Sequence, residues 1–180
     1  MQRISVVGIS GAGKTTIGRA IAAALDLPFV ELDSIYHQPG WNELPADEFQ
    51  DRVRPIVATD AWVIDGNYTS AGIVDLVWAR ADTVVWLDVS RSEAMRQVIA
   101  RTIRRVITRE ELWNGVREPW NNFFDPRPEK NIVVWTWTRF PHTREKYEAR
   151  SNDPQWSHLE FVRLTSSSQA DAFVDALRSR

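Results

Sequence analysis

The chain has 180 residues, of which 43% are apolar and 26% charged, and its formal net charge is −2. This size and balance predict one globular domain with a full core, and the near-neutral charge gives no general attraction to nucleic acid or to an anionic membrane. There is no cysteine, which excludes disulfides and thiol catalysis and fits a cytoplasmic location. No apolar run approaches the roughly 20 residues that span a bilayer. We expect no signal peptide, because the first predicted strand and the loop at Gly8 follow the amino terminus directly.

Predicted strands and helices alternate along the chain. Short apolar, β-branched runs predict strands at 3–7, 29–32, 62–64, 83–87 and 159–164. Helical periodicity predicts helices at 14–25, 46–58, 91–109, 128–149 and 169–178. Pro55 should kink the second helix or end it early, and Ser167 or Ser168 should cap the last one. The alternation predicts an α/β fold, with a parallel sheet covered by helices on both faces.

The strongest motif lies between the first strand and the first helix. Gly8 to Thr15 matches G-x-x-x-x-G-K-[ST] without departure. Glycines let successive backbone N–H groups face one anion, and the helix that follows adds the positive end of its dipole. Lys14 supplies a charge for the β- and γ-phosphates, and Thr15 a hydroxyl for Mg²⁺. The predicted nucleotide-binding residues are Gly8, Ser10, Gly11, Ala12, Gly13, Lys14, Thr15 and Thr16.

Further segments follow this motif in a characteristic order. They are 31–33, 63–66, 84–89 and an arginine-rich helix. Together they resemble the adenylate-kinase-like branch of the phosphate-loop kinases, and within it a group labelled adenylate kinase or DNA topology modulation protein. The resemblance implies a three-layer P-loop NTPase sandwich with five parallel strands in the order 2-3-1-4-5. It also implies a single domain over 1–180 with a helical lid insert at about 101–145. No N-K-x-D guanine motif is present, so ATP is the expected nucleotide.

Two aspartates at predicted strand ends are candidates for chemistry. Asp65 ends the third strand, where such sheets place ligands, and the resemblance assigns it to Mg²⁺ beside Thr15. Its alternative is a turn aspartate before Gly66, and Asp88 at the end of the fourth strand is its rival. Asp33 ends the second strand and is expected to orient the acceptor hydroxyl or to take its proton, with a capping role as the alternative.

Six arginines and one acid, Glu93, lie between residues 91 and 109. By resemblance, Arg101 and Arg105 are expected to close over the triphosphate and neutralise charge in the transition state, with Arg139 on the far side of the lid. The alternatives are a solvated helix face, which we favour for Arg91 and Arg96, or a nucleic-acid patch.

The acceptor pocket is predicted to be aromatic and polar. Adenylate kinases commonly carry an Asp-Gly-Phe-Pro-Arg run, whereas this chain has Asp-Gly-Asn-Tyr from residue 65, and no basic residue lies between Asp33 and Asp51. The predicted lining, with Asp33, is Tyr36, His37, Trp41, Asn67 and Tyr68. This composition favours an uncharged hydroxyl acceptor, such as a nucleoside or sugar-like compound. The alternative is that these aromatics only pack under a loop.

The sequence therefore predicts ATP- and Mg²⁺-dependent phosphoryl transfer to a small molecule, which is a nucleoside, a nucleotide or another hydroxyl compound. Lys14, Asp33, Arg101 and Arg105 are the expected catalytic residues. A regulatory or nucleic-acid-associated protein that uses the phosphate loop as a switch is the alternative, and a plain nucleotide hydrolase is a third possibility. Neither nucleic acid nor membrane is an expected partner.

Overall fold

Five parallel strands form the central sheet of the computed structural model, which describes residues 1–117, 125–128 and 130–179. The described residues contain seven strands, of which β3 and β4 pair antiparallel in a separate two-stranded ribbon. Their bounds are β1 Arg3–Gly8, β2 Phe29–Glu31, β3 His37–Gln38, β4 Asn42–Glu43, β5 Trp62–Asp65, β6 Thr83–Leu87 and β7 Glu160–Leu164. The sheet order is β2-β5-β1-β6-β7, which is 2-3-1-4-5 when the five main strands alone are numbered. The predicted fold is confirmed.

Helices cover both faces of this sheet. Their bounds are α1 Lys14–Leu25, α2 Leu32–Tyr36, α3 Ala46–Val57, α4 Ile73–Trp78, α5 Arg91–Thr108, α6 Ile132–Ser151 and α7 Ser167–Arg178. Buried residues of α1 and α7, such as Ile21 and Val174, share one core cluster. Buried residues of α3, α4 and α6, such as Phe49, Trp78 and Tyr147, share the other. Among the described residues, no helix is both long enough and apolar enough to cross a bilayer.

The central strand β1 contributes buried residues to both core clusters. Ile4 and Val6 face the α1–α7 side, and Val7 faces the opposite side. Ser5 is also buried, and its hydroxyl accepts a hydrogen bond of 3.2 Å from the indole N–H of Trp78. This bond satisfies both polar groups in the core, so that a tryptophan can fill the space between α4 and the sheet.

Several helix ends differ from the prediction, and α6, predicted at 128–149, runs from Ile132 to Ser151. The cap of α7 is Ser166, whose Oγ accepts from the backbone N–H of Gln169, so the expectation of Ser167 or Ser168 was wrong by one residue. Helix α3 continues to Val57, so Pro55 does not end it early. The reason is that Pro55 lies in the last turn, where few backbone hydrogen bonds remain to be lost.

A second proline interrupts the hydrogen bonds of α6. Pro141 has no N–H to donate to the carbonyl of Trp137, four residues earlier. Arg91 at the start of α5 replaces that donor, because its Nη2 lies 2.7 Å from the Trp137 oxygen. The guanidinium also lies 3.5 Å from the centre of the Trp137 ring. Arg91, predicted as a solvated surface residue, therefore links α5 to α6.

Candidate active site

The phosphate loop connects β1 to α1 at the carboxyl edge of the sheet. Gly8, Gly11 and Gly13 have φ angles of +148°, +80° and +90°, which side-chain-bearing residues rarely adopt. A Cβ atom at Gly8 would also lie 2.6 Å from the carbonyl oxygen of Leu87 on the neighbouring strand. These glycines are therefore required for the concave backbone that the motif predicts.

Two cations lie against this loop. Lys14 Nζ donates to the Ile9 carbonyl at 3.3 Å, so its ammonium group crosses the concave side of the loop. Arg101 on α5 donates from Nη2 to the Ser10 hydroxyl at 3.0 Å. Lysine and arginine thus reach the same loop from two different helices.

The loop opens into a cleft of about 720 Å³. Thr16 of α1 lines one side, and Arg101, Arg104 and Arg105 of α5 line the other. Arg104 pairs with Glu110 at 3.0 Å. The guanidinium of Arg105 lies 5.7 Å from the ring centre of Trp113. The arginines of α5 therefore face the phosphate loop and the segment around Trp113.

Thr15 and Asp65 meet beside the loop. The Thr15 hydroxyl donates to Asp65 Oδ2 at 2.6 Å, and Asp65 is 3% exposed. Asp65 Oδ1 is buried and has no hydrogen-bond partner among the residues that the structure describes. Burial raises the pKa of Asp65 to about 6, and the nearby carboxylates of Asp33 and Glu31 add to the rise, whereas Lys14 and the Thr15 hydroxyl oppose it.

This arrangement fits a magnesium ion. A hydroxyl and a carboxylate oxygen are hard oxygen ligands, which Mg²⁺ prefers together with phosphate oxygens and water. The unpartnered Oδ1 of Asp65 is an acceptor without a proton donor, and a cation would relieve the cost of burying its charge. Thr15 and Asp65 are therefore the residues that would hold the ion.

Glu31 is a site residue that the sequence analysis missed. The Thr15 hydroxyl lies 3.3 Å from Glu31 Oε1, and Arg19 of α1 donates to Oε2 at 3.3 Å. Glu31 ends β2 directly opposite Asp65 in the parallel register. Its position two residues before Asp33, at a predicted strand end, was the signal that could have identified it.

Asp88, the rival of Asp65, is held by two arginines. Arg163 of β7 donates to its Oδ2 from Nε at 2.9 Å and from Nη2 at 2.6 Å, and Arg144 of α6 lies 3.2 Å from the same atom. Asp88 is buried, so these ion pairs compensate its charge. Asp88 therefore joins β6, β7 and α6.

Asp33 lies against an aromatic group on the β2 side of the sheet. The Tyr68 hydroxyl donates to Asp33 Oδ1 at 2.6 Å, so Asp33 is bonded across the site rather than capping its own helix. The rings of Tyr36 and Tyr68 are 4.5 Å apart, and Phe49 lies 5.0 Å from Tyr68. We call Asp33, Tyr36, Phe49 and Tyr68 the acceptor wall.

The side-chain amide of Asn67 is not part of the acceptor wall. Its Oδ1 accepts from the backbone N–H of Gly8 at 3.3 Å, and its Nδ2 donates to the Gly8 carbonyl. The hydroxyl of Tyr147, a buried residue of α6, donates to the same Oδ1 at 2.8 Å. The amide of Asn67 thus connects the phosphate loop to α6.

Segment 111–117 contacts the segment between α2 and β4. Asn114 donates from Nδ2 to the carbonyls of Ser34 and His37, at 3.1 and 2.6 Å. The ring of His37 stacks on Trp113 with 5.8 Å between centres, and the indole N–H of Trp41 donates to the Arg117 carbonyl at 3.0 Å. His37 and Trp41, predicted to line the acceptor pocket, therefore form the surface on which segment 111–117 rests.

The predicted lid is described in part. Residues 118–124 and 129, which fall inside the predicted insert of 101–145, lie outside the described residues. Arg139 is exposed on α6 and is not among the residues that line the cleft.

Comparison with known proteins identifies the relatives of this chain. A family model of shikimate kinases matches residues 10–53. The shikimate kinase of Corynebacterium diphtheriae is 33% identical over 122 residues, which are 58% of this chain and 66% of that protein. That of Synechococcus is 30% identical over 107 residues, which are 53% and 55% of the two chains. The chain thus spans less than two thirds of the length of these relatives.

A relative that is covered to a larger share of its length and a solved structure agree with these matches. The shikimate kinase of Corynebacterium efficiens is 30% identical over 120 residues, which cover 60% of this chain and 70% of that protein. A structure of shikimate kinase from Acinetobacter baumannii in complex with shikimate superposes with a TM-score of 0.54. It is 18% identical and covers 98% of this chain and 90% of that one, so it supports the fold.

These matches give no support to the narrower resemblance to adenylate kinases or DNA topology modulation proteins. They confirm the prediction of a P-loop kinase at the level of the family. On the strength of the alignment that covers most of its Corynebacterium efficiens relative, the chain belongs to the shikimate kinase family of P-loop small-molecule kinases.

Proposed function

We propose that this protein transfers the γ-phosphoryl group of ATP, with Mg²⁺, to a hydroxyl group of a small molecule. The observation that carries the proposal is the meeting of Lys14, Thr15 and Asp65 at the phosphate loop, with Asp33 close enough to influence the charge of Asp65. A phosphate cradle and a second carboxylate at the same edge of the sheet are what phosphoryl transfer to a hydroxyl needs.

On the nucleotide side, the loop amides and Lys14 bind the phosphates. Thr15 and Asp65 would hold Mg²⁺, which, when bound, neutralises charge on the β- and γ-phosphate oxygens. Arg101 lies 3.0 Å from Ser10 in the loop, and we assign it to the charge that develops on the transferred group. We assign Arg105 to the same charge, which it would approach from the side of the predicted lid.

On the acceptor side, Asp33 orients the hydroxyl and accepts its proton. Tyr68 occupies Oδ1 of Asp33, so we assign Oδ2 to the acceptor. As the acceptor oxygen bonds to the γ-phosphorus, the bond to the β–γ bridging oxygen breaks and ADP leaves with the electron pair. The domain over 1–180, with its lid insert at about 101–145, would exclude water from this exchange.

The relatives of this chain and the residues of the acceptor wall suggest which acceptor compounds to test. The relatives carry the name shikimate kinase, so shikimate is the first candidate. Nucleosides, nucleoside monophosphates and sugars are the classes that the sequence predicts. The α5 arginines that suggested nucleic-acid binding line the nucleotide cleft, and the proposal therefore uses them for ATP.

The test is product formation with MgATP and each acceptor, followed by ADP release and by mass spectrometry of the product. Lys14→Ala should abolish product formation, whereas Arg178→Ala, an exposed change on α7, should leave it unchanged. A protein that binds MgATP but phosphorylates none of these acceptors would contradict the proposal. ADP release that no acceptor accelerates would indicate a hydrolase instead.

A further inference from the structure

Strand β1 runs on after its neighbour β5 has ended. The parallel register pairs the two strands as far as Val6 and Asp65. On its other side, β1 stays paired with β6 as far as Gly8 and Leu87. The last two residues of β1 thus extend beyond β5, to the point where the phosphate loop begins. Backbone groups that lose a strand as partner at the edge of a core need a partner from elsewhere.

The side chain of Asn67 supplies that partner. Its Oδ1 accepts from the backbone N–H of Gly8 at 3.3 Å, and its Nδ2 donates to the Gly8 carbonyl. A primary amide carries a donor and an acceptor like a peptide group, so it stands where a further residue of β5 would have paired. The two bonds also fix which end of the amide is the oxygen, and a further group that bonds to Oδ1 must therefore be a donor.

Tyr147 of α6 is that donor. Its hydroxyl lies 2.8 Å from Asn67 Oδ1, and the residue is 1% exposed. The ring packs between the rings of Trp86 and Trp78, at 6.0 and 6.1 Å between centres. Burial raises the pKa of Tyr147 well above its usual range, so the hydroxyl keeps its proton. Core packing thus fixes the ring, and the hydroxyl holds the amide of Asn67 against Gly8.

The neighbouring residue of α6 contacts the same segment. Lys146 Nζ donates to the Thr69 hydroxyl at 3.0 Å. The backbone N–H of Thr69 in turn donates to the Asn67 carbonyl at 2.7 Å. Two consecutive residues of α6 therefore hold segment 67–69, and this segment holds the first residue of the phosphate loop.

A phosphate loop binds through backbone N–H groups that already face the anion before it arrives. If Gly8 were free to rotate, the loop would have to be ordered during binding, and the affinity would fall. Among the described residues, those that line the nucleotide cleft belong to elements other than α6. Any effect of α6 on nucleotide affinity must therefore pass through residues such as Asn67.

From these contacts we infer that Tyr147 is a positioning residue for nucleotide binding, which acts on the phosphate loop through the side-chain amide of Asn67. This role rests on the proposed function, from which it takes only the binding of MgATP at the loop. It makes the affinity for nucleotide depend on α6, the helix whose first part lies in the predicted lid insert of 101–145.

The test is a double-mutant cycle on MgATP affinity, measured by calorimetry. Tyr147→Phe keeps the ring and removes one neutral hydrogen bond, so binding should weaken about three- to fivefold. Asn67→Ala should weaken binding about tenfold. Adding Tyr147→Phe to Asn67→Ala should weaken binding by less than about twofold more, because the amide that transmits the effect is gone. Losses that multiply in the double variant would overturn the inference.

A second hydroxyl of α6 provides the matched control. Thr136 is fully buried, and its hydroxyl donates to the Ile132 carbonyl within the helix at 2.7 Å. Thr136→Val should leave MgATP affinity unchanged, even if urea unfolding shows that it destabilises the protein as much as Tyr147→Phe does. Equal losses of affinity in these two variants would show a general effect of helix stability and would overturn the inference.

The remaining outcomes separate this role from the proposed function. Unchanged MgATP affinity in Tyr147→Phe would overturn the role of Tyr147 and leave the proposed function intact. A parent protein that binds MgATP but transfers phosphate to no acceptor would overturn the proposed function alone. A parent that binds no MgATP would overturn both.

Discussion

Replacing Asp65 by asparagine should stabilise the nucleotide-free protein at neutral pH and abolish its phosphoryl transfer. The buried carboxyl has a pKa of about 6 in the folded protein, against the ordinary 3.8 expected for it in the unfolded chain. The folded state therefore holds the proton more tightly. Stability falls as the pH rises from 3.8 to about 6 and stays lower above that range.

The size of the effect follows from the two pKa values. The difference between 6 and 3.8 corresponds to about 3 kcal/mol of unfolding free energy at pH 7. Asparagine has nearly the same shape, still accepts from Thr15 and carries no charge. The free energy of unfolding of the variant should therefore exceed that of the parent by up to about 3 kcal/mol near pH 7.5, which corresponds to roughly 6–12 °C in Tm. Near pH 4.5 the difference should be about 1 kcal/mol.

The assay is urea unfolding followed by tryptophan fluorescence, in EDTA and without nucleotide, at both pH values. Asp60→Asn, an exposed change in the turn before β5, is the control and should match the parent at each pH. MgATP should stabilise the parent more than the variant, because the ion compensates the buried charge. A variant no more stable than the parent near pH 7.5, or a gain independent of pH, would refute the reasoning that the buried charge of Asp65 destabilises the protein without its ion.

Three further changes should separate catalysis, binding and packing. Arg101→Ala should lower kcat by about 10³-fold with less than a tenfold change in MgATP affinity, whereas Arg104→Ala should keep most of the activity. A larger loss of kcat in Arg104→Ala than in Arg101→Ala would contradict the assignment of Arg101. Asn67→Ala removes both hydrogen bonds to Gly8 and should weaken MgATP binding about tenfold by calorimetry, and unchanged affinity would show that the loop holds its shape alone. Trp78→Ala should cost about 3–5 kcal/mol of unfolding free energy in urea, and a loss below about 1 kcal/mol would show that the core refills the space.

The main elements of the fold follow from local sequence. Each strand of the sheet is a short apolar run ended by polar or turn residues, and the predicted bounds agree with the observed ones to within a residue. Helices α2 and α4 and the β3–β4 ribbon were missed because two to six residues carry too little periodicity. The sheet order came from the resemblance, since no local signal decides which strands become neighbours.

The roles of individual polar residues depended on contacts that sequence does not display. Asp65 and Asp88 both end buried strands, and only the folded chain brings Arg163, 75 positions away, onto Asp88. Asn67 follows the end of a strand, where pocket residues are expected, yet its side-chain amide forms a hydrogen bond with Gly8, 59 positions earlier. Glu31 could have been identified from local sequence, because alternation along β2 and its place near Asp33 put it at the carboxyl edge of the sheet.

The contact between Arg91 and Trp137 has a consequence for spectroscopy. The carboxyl-terminal part of α6 is held by Arg144 on Asp88 and by Tyr147 on Asn67, whereas Trp137 lies before Pro141, which has removed one hydrogen bond of the helix. Trp137 is 53% exposed and its ring centre lies 3.5 Å from the Arg91 guanidinium, so its fluorescence should report whether α5 and α6 stay in contact at this point.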